Sequence, residues 1–306
     1  MKKKIVLAGG SGFIGKSLIR FFGDKDYDFV ILTRNPQNRM DGVKEVHWDA
    51  KTLGPWTVEI ENAEALINLT GKSVNCRYTE TNKREIINSR IYSTGILGTA
   101  ILQLKHPPKV WLNASSATIY RYSEDVNMDE FSTDFGNDFS PGVVKAWEKA
   151  FNDVTLPSTA KFILRISIVL GKGDGVMPRL INLVRFGLGG KQGSGSQFVS
   201  WIHEEDLYRM MKWCIEHPEQ QGIYNCCVPN PVTNDYLMRT IRATMHMPFG
   251  LPAPAWLLKI GALIIGTEPE LILKSRRVVP VKILQQGFVF TYPEINSALK
   301  NLLSAR

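Results

Sequence analysis

Three glycines follow the first predicted strand with the spacing G-x-x-G-x-x-G: Gly9, Gly12 and Gly15. An apolar stripe at helical spacing comes next and predicts an amphipathic helix, formed by Ile14, Leu18, Phe21 and Phe22. In such a unit Gly9 permits the tight turn, Gly12 lets a pyrophosphate approach the backbone, and Gly15 lets the helix pack close to the sheet. Because N–H groups at a helix start attract anions, the sequence predicts a dinucleotide-binding site here.

The end of the second predicted strand, ILTRNP, indicates which dinucleotide this site prefers. A site for NAD places an acidic residue there, about 20 residues beyond the glycines, where it binds the ribose 2′-hydroxyl. This chain has Thr33 and Arg34 instead. A carboxylate would repel a 2′-phosphate, whereas a guanidinium can bind it through paired hydrogen bonds. The predicted cofactor is therefore NADP.

A second interpretation uses the same residues. The segment GSGFIGKS, Gly10 to Ser17, also satisfies the pattern G-x-x-x-x-G-K-[ST] of the phosphate-binding loop in nucleoside triphosphatases. Lys16 would then bind the β- and γ-phosphates, and Ser17 would bind magnesium. Such an enzyme also needs an aspartate at the end of a later strand, and among the predicted strand ends only EVHWD, with Asp49, supplies one. A nucleoside triphosphatase is therefore the remote alternative, and no metal site is predicted.

Strands and helices alternate along the first part of the chain, which predicts a parallel sheet covered by helices on both faces. The predicted strands comprise residues 4–8, 28–33, 44–48, 64–69, 109–115 and 161–170. We therefore expect an α/β fold with a doubly wound Rossmann sheet in residues 1–170. After Gly171 the pattern changes to glycine- and proline-rich segments around a predicted strand at 196–203. Residues 171–306 are expected to form a smaller substrate-binding or lid region, with some segments packing back onto the sheet.

Composition excludes several classes of protein. The 306 residues, 44% hydrophobic and 22% charged, are typical of a soluble globular protein. The net charge is +8, but the basic residues are scattered, so an anionic small ligand explains the charge better than nucleic acid. We expect neither an export signal nor a membrane span, because the apolar runs are too short. Four cysteines without a CxxC pair fit reduced thiols in the cytoplasm.

A family resemblance runs along nearly the whole chain. The segments that carry it are GGSGFIG, LTRNP, INLTGKSV, INSRIYSTGIL, NASSATIY, KAWEKAF, RISIVLGKGDG, GLGGKQGSGSQFVSWIHEEDL, YNCCVPNPVTN and VVPVKILQQGFVFTYPEINSALKNLL. With these motifs the chain resembles the extended short-chain dehydrogenase/reductases, and within them the atypical "epimerase family" branch. The resemblance implies a Rossmann domain that binds NADP and a C-terminal substrate region, which ends in the branch's own tail module at about residues 250–300.

The resemblance also implies positions in the cofactor site. By this resemblance, the residues around the pyrophosphate are Gly9, Gly12, Phe13, Ile14 and Gly15. It places Thr33 and Arg34 at the 2′-phosphate, Leu69 and Thr70 along the adenosine side, Glu85 and Arg90 facing the cofactor, and Val169 behind the nicotinamide. A homodimer through the long helices is common in the wider family and is implied in the same way, although no residue pattern here indicates one.

One part of the family pattern is absent. In active extended members a serine or threonine ends the fifth strand, and a Tyr-x-x-x-Lys pair on a helix supplies the proton donor and the lysine that lowers its pKa. Ser116 matches the serine. Aligning the helix through Glu148, however, puts Ser140 and Val144 in the places of the tyrosine and the lysine. Lys145 is one residue away, about 100° around the helix, so it cannot replace the lysine.

A proton donor would have to come from elsewhere, and the candidates are Ser116, Tyr120, Lys83 and His203. Tyr120 is the most attractive, because it follows a strand whose C-terminal end should face the nicotinamide; a merely packed tyrosine is the alternative. His203 precedes a predicted helix, where a structural role is the alternative. Ser116 and Tyr120 are therefore the predicted catalytic residues. Two functions remain open: an oxidoreductase or epimerase-like enzyme acting on a small carbonyl or hydroxyl substrate, and a catalytically silent NADP(H)-binding redox sensor.

Overall fold

The computed structural model describes residues 2–23, 26–265, 268 and 270–304. Its strands are β1 (Lys3–Ala8), β2 (Tyr27–Thr33), β3 (Lys44–His47), β4 (Ala65–Asn68), β5 (Val110–Ser116), β6 (Ala160–Ile166), β7 (Ile168–Gly171), β8 (Asp174–Gly175), β9 (Phe198–Val199), β10 (Trp201–His203), β11 (Gly222–Cys226) and β12 (Val232–Thr233). Its α-helices are α1 (Phe13–Phe22), α2 (Thr57–Ile60), α3 (Glu80–Gln103), α4 (Phe139–Asn152), α5 (Met177–Arg185), α6 (Glu204–Glu216), α7 (Asn234–Thr244), α8 (Ala255–Ile265), α9 (Glu270–Leu273), α10 (Val281–Gln285) and α11 (Ile295–Leu303). Short 3-10 helices lie at Ala117–Ile119 and Pro218–Gln220.

The main sheet has the strand order β11–β6–β5–β4–β1–β2–β3, and every neighbouring pair in it is parallel. The chain winds outward from β1 in both directions, so β1 and β4 lie at the point where the strand order reverses. In open α/β sheets, ligands bind in the crevice that this reversal leaves at the carboxyl ends of the strands. The predicted α/β fold with a doubly wound Rossmann sheet is therefore confirmed.

Both faces of the sheet are buried. Alternate residues of each strand point to opposite sides and so enter two different cores. On one face, Ile5, Leu7 and Ile67 belong to a core that also contains residues of α1 and α6. On the other face, Val6 and Leu66 belong to a second core with residues of α3 and α4. Packing on two sides explains why the central strands read as nearly continuous hydrophobic runs. It also fixes the carboxyl ends of the strands, from which the candidate site is built.

Two segments that were predicted as single strands are each divided at a serine. The predicted strand 161–170 splits into β6, in the main sheet, and β7, which pairs with β10 and β8 in a small sheet. At the break, the N–H and the hydroxyl of Ser167 both donate to the carbonyl of Cys226, at 3.1 and 2.8 Å. The predicted strand 196–203 splits at Ser200, whose hydroxyl donates to the carbonyl of Arg276 (2.8 Å). These predictions were wrong because side-chain contacts with distant backbone redirect the chain.

Part of the chain beyond residue 170 returns to the main sheet. β11 pairs with β6 at its edge, and residues of α6 share the core that contains α1. The sheet and its helices therefore use residues from both sides of the boundary predicted at residue 170. The later segments cross over as well, since Met128 exchanges backbone hydrogen bonds with Arg277 and Val279, at 2.8 and 2.9 Å. Within the described ranges, no helix combines the length and apolarity needed to cross a bilayer.

Candidate functional site

The turn after β1 has the geometry that its glycines allow. Gly9 has a φ of 75°, in the left-handed region that favours glycine. A Cβ on Gly15 would lie 2.2 Å from the carbonyl oxygen of Gly10, so only glycine lets α1 begin this close to the turn. A Cβ on Gly12, in contrast, would meet nothing within 4 Å. Ile14 packs against the core, so this side chain points away from the open space at the start of α1.

The N-terminus of α1 is suited to an anion. Gly12 is the N-cap residue, no side chain caps the helix, and its first turn contains no acidic residue. Unpaired N–H groups and the helix dipole favour negative charge at such an end. The Phe13 ring packs against β7 and β8: a Cβ on Gly171 would lie 2.2 Å from it, and one on Gly175 3.1 Å. Val169 is part of β7. The predicted residue Phe13 therefore packs on the small sheet to which the predicted residue Val169 belongs.

The end of β2 carries an exposed cation beside the turn. The N–H of Gly9 donates to the carbonyl of Leu32 (2.9 Å), so the two strand ends lie side by side. Thr33 is buried and Arg34 is exposed. Asp41 of the following loop and Glu45 of β3 pair with Arg39 instead, and Arg34 has no ion-pair partner in the part of the chain that the structure describes. A guanidinium free at this place can bind a phosphate.

The end of β4 contributes a hydroxyl without a partner. The N–H of Leu69 donates to the carbonyl of Ala8 (2.9 Å), which holds this strand end against β1. The Oγ1 atom of Thr70 is buried and forms no hydrogen bond with any described residue. It lies 2.8 Å from the place that a Cβ on Gly9 would occupy. Because a buried polar atom normally has a partner, Thr70 marks a position for a polar group of a ligand.

A half-buried arginine from α3 packs on the loop that follows β4. The carbon of the Arg90 guanidinium lies 3.0 Å from the place of a Cβ on Gly71, and Nη1 donates to the carbonyl of Lys72 (3.1 Å). The guanidinium also lies 5.1 Å from the centroid of the Trp147 ring. Desolvation lowers the pKa of Arg90 to about 10. Glu85 is exposed and pairs with Lys72, so both predicted α3 residues lie beside this loop, but Glu85 is already engaged.

Ser116 ends β5 at the same edge of the sheet. Its hydroxyl accepts hydrogen bonds from the N–H and the hydroxyl of Thr118, at 3.2 and 3.0 Å, and so caps the short helix at Ala117–Ile119. Ser115 points the other way and donates to Glu148 (2.6 Å). Ser116 is half-buried, and since its oxygen acts as an acceptor in both contacts, its own proton is available to a substrate oxygen.

Tyr120 lies in a position that does not suit the predicted proton donor. It is 0% exposed, and its hydroxyl lies 2.7 Å from the Asp129 carbonyl and 2.9 Å from the Asn225 side-chain oxygen. The hydroxyl also accepts a hydrogen bond from Arg165 (2.8 Å). Burial raises the pKa of Tyr120 to about 12, against the opposing effect of Arg165. All its hydrogen-bonding capacity is used inside the protein, which is the environment of a structural tyrosine.

The helix α4 brings neither a tyrosine nor a lysine to the crevice. Ser140 and Val144 are both buried. Lys145 is exposed, and its ammonium lies 6.0 Å from the centroid of the Phe135 ring. Lys145 thus lies on a different side of α4 from Val144, as the rotation of about 100° per residue in a helix requires.

The other two candidate donors are engaged elsewhere. Lys83 pairs with Glu80 at 2.9 Å on the first turns of α3. His203 is the N-cap of α6, where Nδ1 accepts from the N–H of Glu205 and Nε2 contacts the Asn301 side-chain oxygen, both at 3.1 Å. Burial lowers the pKa of His203 to about 4, although the contact with Asn301 opposes this. For His203, the geometry supports the alternative of a structural role at the start of α6.

The geometry contradicts the triphosphatase alternative. Ser17 is buried in the second turn of α1, and its hydroxyl accepts a hydrogen bond from Arg20 (2.7 Å) instead of facing the turn. Lys16 is exposed. Asp49 accepts hydrogen bonds from the N–H and hydroxyl of Thr52 and closes a local turn. Among the residues that the structure describes, no group of three His, Cys, Asp or Glu side chains could hold a metal ion.

One residue that the sequence did not single out packs its ring on Phe139, at the start of α4. Tyr78 lies in the loop before α3, and its hydroxyl is buried next to that of Ser140. No motif signals it, because the loop between β4 and α3 has no periodic pattern. Its position directly before Thr79, the N-cap of α3, is the one local signal that it is held in place.

The residues around the turn fit a dinucleotide. The space at Gly12 allows a pyrophosphate to reach the backbone N–H groups, and the unpartnered hydroxyl of Thr70 can hydrogen-bond a ribose or a phosphate. Arg34 supplies a cation at the end of β2. Backbone donors, a hydroxyl and a guanidinium are the donors that phosphate and sugar oxygens need.

Comparison with known proteins agrees with this geometry. The NAD dependent epimerase/dehydratase family matches residues 5–227, and a domain of unknown function, DUF1731, matches residues 253–302. The epimerase family protein YfhF of Bacillus subtilis is 32% identical over 303 residues, which cover 99% of this chain and 98% of that protein. The epimerase family protein SDR39U1 of Homo sapiens is 29% identical over 306 residues, 98% of this chain and 100% of its own. A crystal structure of human SDR39U1 (isoform 2) with NADPH matches with a TM-score of 0.87 and 29% identity, covering 98% of both chains. The chain therefore belongs to the NAD dependent epimerase/dehydratase family and has the extended short-chain dehydrogenase/reductase fold.

Proposed function

We propose that the protein is an NADP(H)-dependent oxidoreductase that acts on a small carbonyl or hydroxyl compound. The observation that carries this proposal is Arg34, an exposed guanidinium beside the glycine turn, with no ion-pair partner in the described ranges. A 2′-phosphate would complement its charge, and the acidic residue that selects NAD is absent. The NADPH in the crystal structure of the human relative supports the same choice of cofactor.

In this proposal each strand end has a separate task. NADP(H), when bound, supplies or accepts the hydride. The N–H groups at the start of α1 bind its pyrophosphate, Thr33 and Arg34 bind its 2′-phosphate, and Leu69 and Thr70 line its adenosine side. Ser116, at the end of β5, donates a hydrogen bond to the substrate oxygen and so orients it. These tasks fall on neighbouring strands because parallel strands present their carboxyl ends at one edge of the sheet.

Calorimetric titration with NADPH, NADP⁺, NADH and NAD⁺ tests the proposal. We expect the wild type to bind the two phosphorylated forms more tightly. A charge-assisted hydrogen bond contributes about 1.5–3 kcal/mol, so Arg34→Ala should weaken NADPH binding about ten- to over a hundredfold and leave NADH binding nearly unchanged.

Lys105→Ala is the matched control for the loss of one positive charge. Lys105 is exposed in the loop before β5, at the opposite edge of the sheet, so this variant should bind all four nucleotides like the wild type. Equal weakening of NADPH and NADH by Arg34→Ala would contradict the 2′-phosphate assignment. A wild type that binds none of the four would overturn the proposed function.

A catalytically silent NADP(H)-binding redox sensor is the second candidate. It is favoured by Ser140 and Val144, which stand on α4 where the family pattern has its tyrosine and lysine. Oxidation of saturating NADPH, followed at 340 nm with glyceraldehyde, diacetyl, benzaldehyde and phenanthrenequinone, separates the two candidates. Turnover of any of these carbonyls favours the oxidoreductase, whereas tight NADPH binding without turnover of the set favours the sensor.

A further inference from the structure

Six large apolar side chains lie exposed on one part of the surface, formed by the loop after α5, the segment before α8, and α8 itself. Each residue is between 45% and 79% exposed. They are Phe186, Leu188, Phe249, Leu251, Trp256 and Ile260, and together they are called the apolar patch. Trp256 and Ile260 are four residues apart and so share one face of α8. Contiguous exposed apolar area larger than roughly a few hundred Å² marks an interaction site on a protein.

Backbone hydrogen bonds hold the parts of the apolar patch together. The N–H of Leu251 donates to the carbonyl of Gly187 (2.7 Å), and the N–H of Gly190 donates to the carbonyl of Leu251 (3.0 Å). A Cβ on Gly187 would lie 3.4 Å from the ring of Phe249. The loop after α5 and the segment before α8 therefore lie side by side, and the chain continues from this segment directly into α8.

The charged residues of the two segments that carry the patch are all basic. Residues 176–203 contain three Lys or Arg, residues 236–265 contain another three, and neither segment contains Asp or Glu. Arg185, Lys191 and Lys259 are exposed, and none of these three forms an ion pair with any residue that the structure describes. Their positive charges are therefore available to an anionic partner.

These three cations border the apolar patch. Arg185 directly precedes Phe186, and Lys259 directly precedes Ile260. The backbone carbonyl of Lys191 accepts a hydrogen bond from the segment before α8 (2.9 Å). A partner that covers the patch must therefore also accommodate positive charge around it.

The other cations of the two segments are engaged within the protein. Arg179 donates to the side chain of Asn75 (3.0 Å), and Arg242 donates to a backbone carbonyl of the loop after α5. Arg239 pairs with Asp235 at 2.9 Å. This pairing neutralises the carboxylate at the start of α7, so Asp235 does not offset the charge of the three free cations.

The positive charge distinguishes between the partners that an apolar surface could have. In a symmetric dimer the same surface meets itself, so the free cations of the two copies would approach one another, and like charges across an interface disfavour association. An anionic bilayer surface instead offers apolar chains to the patch and phosphates to the cations. The eleven residues of α8 span about 16 Å, so this helix can lie in such a surface but not cross it.

We propose that the apolar patch and its three cations hold the protein on a membrane surface that contains anionic phospholipid. The apolar side chains enter the boundary between headgroups and acyl chains, where Trp256 has the amphipathic ring that suits this depth. Arg185, Lys191 and Lys259 bind lipid phosphates. This contact is peripheral, and it uses none of the residues assigned to the NADP(H) site, so it does not depend on the proposed function.

Cosedimentation of the whole protein with lipid vesicles tests this inference. The vesicles contain phosphatidylcholine alone, or phosphatidylcholine with about 30% phosphatidylglycerol. We expect the protein to bind the anionic vesicles at least about tenfold more tightly than the neutral ones at about 0.1 M salt. Most of this difference should vanish at about 1 M salt, because the Debye length falls from about 10 to 3 Å.

Trp256→Ser tests the apolar part of the contact. Loss of a buried large apolar side chain should weaken binding to the anionic vesicles at least about tenfold. Phe131→Ser is the matched control, because Phe131 is as exposed as Trp256 (64% against 63%) but lies in a loop that carries Asp129, Glu130 and Asp134. This control should bind like the wild type.

A triple variant, Arg185→Gln, Lys191→Gln and Lys259→Gln, tests the charges. Each basic residue near an anionic surface contributes about fivefold to binding, so the triple variant should bind about a hundredfold more weakly. Its control replaces Arg84, Lys51 and Lys105 by Gln, which are equally exposed and remove the same charge elsewhere; it should bind nearly like the wild type. Circular dichroism checks that each variant is folded.

The other outcomes overturn the inference. Wild-type protein that binds neither kind of vesicle, or patch variants that bind as tightly as the wild type, would show that the patch is not a membrane contact. Light scattering after size exclusion detects the competing partner: a wild-type dimer that ignores anionic vesicles and that Trp256→Ser splits into monomers would make the patch an interface between two copies. Failure of NADPH to bind would overturn the proposed function and leave this inference intact.

Discussion

The buried ion pair between Arg165 and Glu148 fixes the tyrosine that follows β5. Arg165 donates to both carboxylate oxygens of Glu148 at 2.9 Å, and its remaining Nη1 donates to the Tyr120 hydroxyl at 2.8 Å. Asn225 of β11 contacts the same hydroxyl, so the network joins α4, β6 and β11. Removal of one partner from a buried charged network leaves the others uncompensated. The Tyr120 hydroxyl therefore stabilises the fold.

Replacement of this hydroxyl tests its role. Tyr120→Phe removes the acceptor of Arg165 and leaves buried polar atoms unpaired, which should lower the free energy of unfolding by about 1–3 kcal/mol while NADPH affinity stays unchanged. Urea denaturation measures the first quantity and calorimetry the second. The control is Tyr122→Phe, in an exposed tyrosine two residues away, with an expected change below about 0.5 kcal/mol. A Tyr120→Phe protein that is fully stable but loses turnover would instead make Tyr120 catalytic.

The two tyrosines show what a sequence conveys at the scale of a residue. Tyr120 follows the carboxyl end of β5, which correctly suggests nearness to the crevice. Its orientation depends on Arg165 and Asn225, which are distant in sequence and carry no signal of this contact. Tyr78 has no motif around it, and its place follows from the packing of its ring on Phe139. The glycine turn, Thr33 and Arg34 could be predicted because strand order and residue spacing alone determine where they lie.

At the scale of an element, substitutions in the strand–turn–helix unit of β1 and α1 should distinguish a glycine needed for NADPH binding from a glycine needed for stability. Gly12→Ala adds a methyl group where the structure leaves space, so the free energy of unfolding should fall by less than about 1 kcal/mol. That methyl group would occupy the room for a pyrophosphate, so NADPH affinity should fall at least about tenfold. Gly15→Ala forces a Cβ to within 2.2 Å of the Gly10 carbonyl oxygen and should cost about 1–3 kcal/mol or more of stability.

Urea denaturation and calorimetry on the two variants check this contrast. Gly142→Ala serves as a control for the glycine substitution itself, because a Cβ there also meets nothing within 4 Å and the residue lies on α4, away from the turn. It should keep NADPH affinity and lose no stability, because alanine is favoured over glycine inside a helix. A Gly12→Ala protein that binds NADPH like the wild type would place the pyrophosphate elsewhere.

The elements themselves were predictable to different degrees. β1, β2, β4 and β5 appear in the sequence as apolar runs close to their observed bounds, because burial on both faces demands such runs. The edge strand β3, with the sequence KEVH, is only partly buried and has no such run. The divisions at Ser167 and Ser200 have no such signal. Both serines stand inside apolar segments, and the bonds that redirect the chain go to Cys226 and Arg276, which are remote in sequence. Long-range hydrogen bonds of this kind overrule the local pattern.

At the scale of the whole molecule, the C-terminal tail is joined to the Rossmann sheet through α6. The buried carboxylate of Asp206 accepts hydrogen bonds from the N–H groups of Thr291 and Tyr292, at 2.7 and 2.8 Å. The ring of His203 stacks on that of Tyr292, with centroids 4.0 Å apart, and contacts Asn301 of α11. These contacts couple the tail to the start of α6, so a change at His203 acts on both parts together.

The neutral His203 should make the whole fold sensitive to acid. Its pKa is lowered from 6.5 to about 4 by burial. Between these values the unfolded chain takes up a proton that the folded chain does not, so stability is full above about pH 6.5 and falls as the pH drops towards 4. The loss from this residue alone is about 3 kcal/mol. In His203→Asn, which keeps an N-cap side chain, urea denaturation from pH 7 to pH 4 should show a correspondingly shallower decline. His106→Asn, at an exposed histidine, should decline like the wild type, and an identical decline in His203→Asn would show that His203 is not the group responsible.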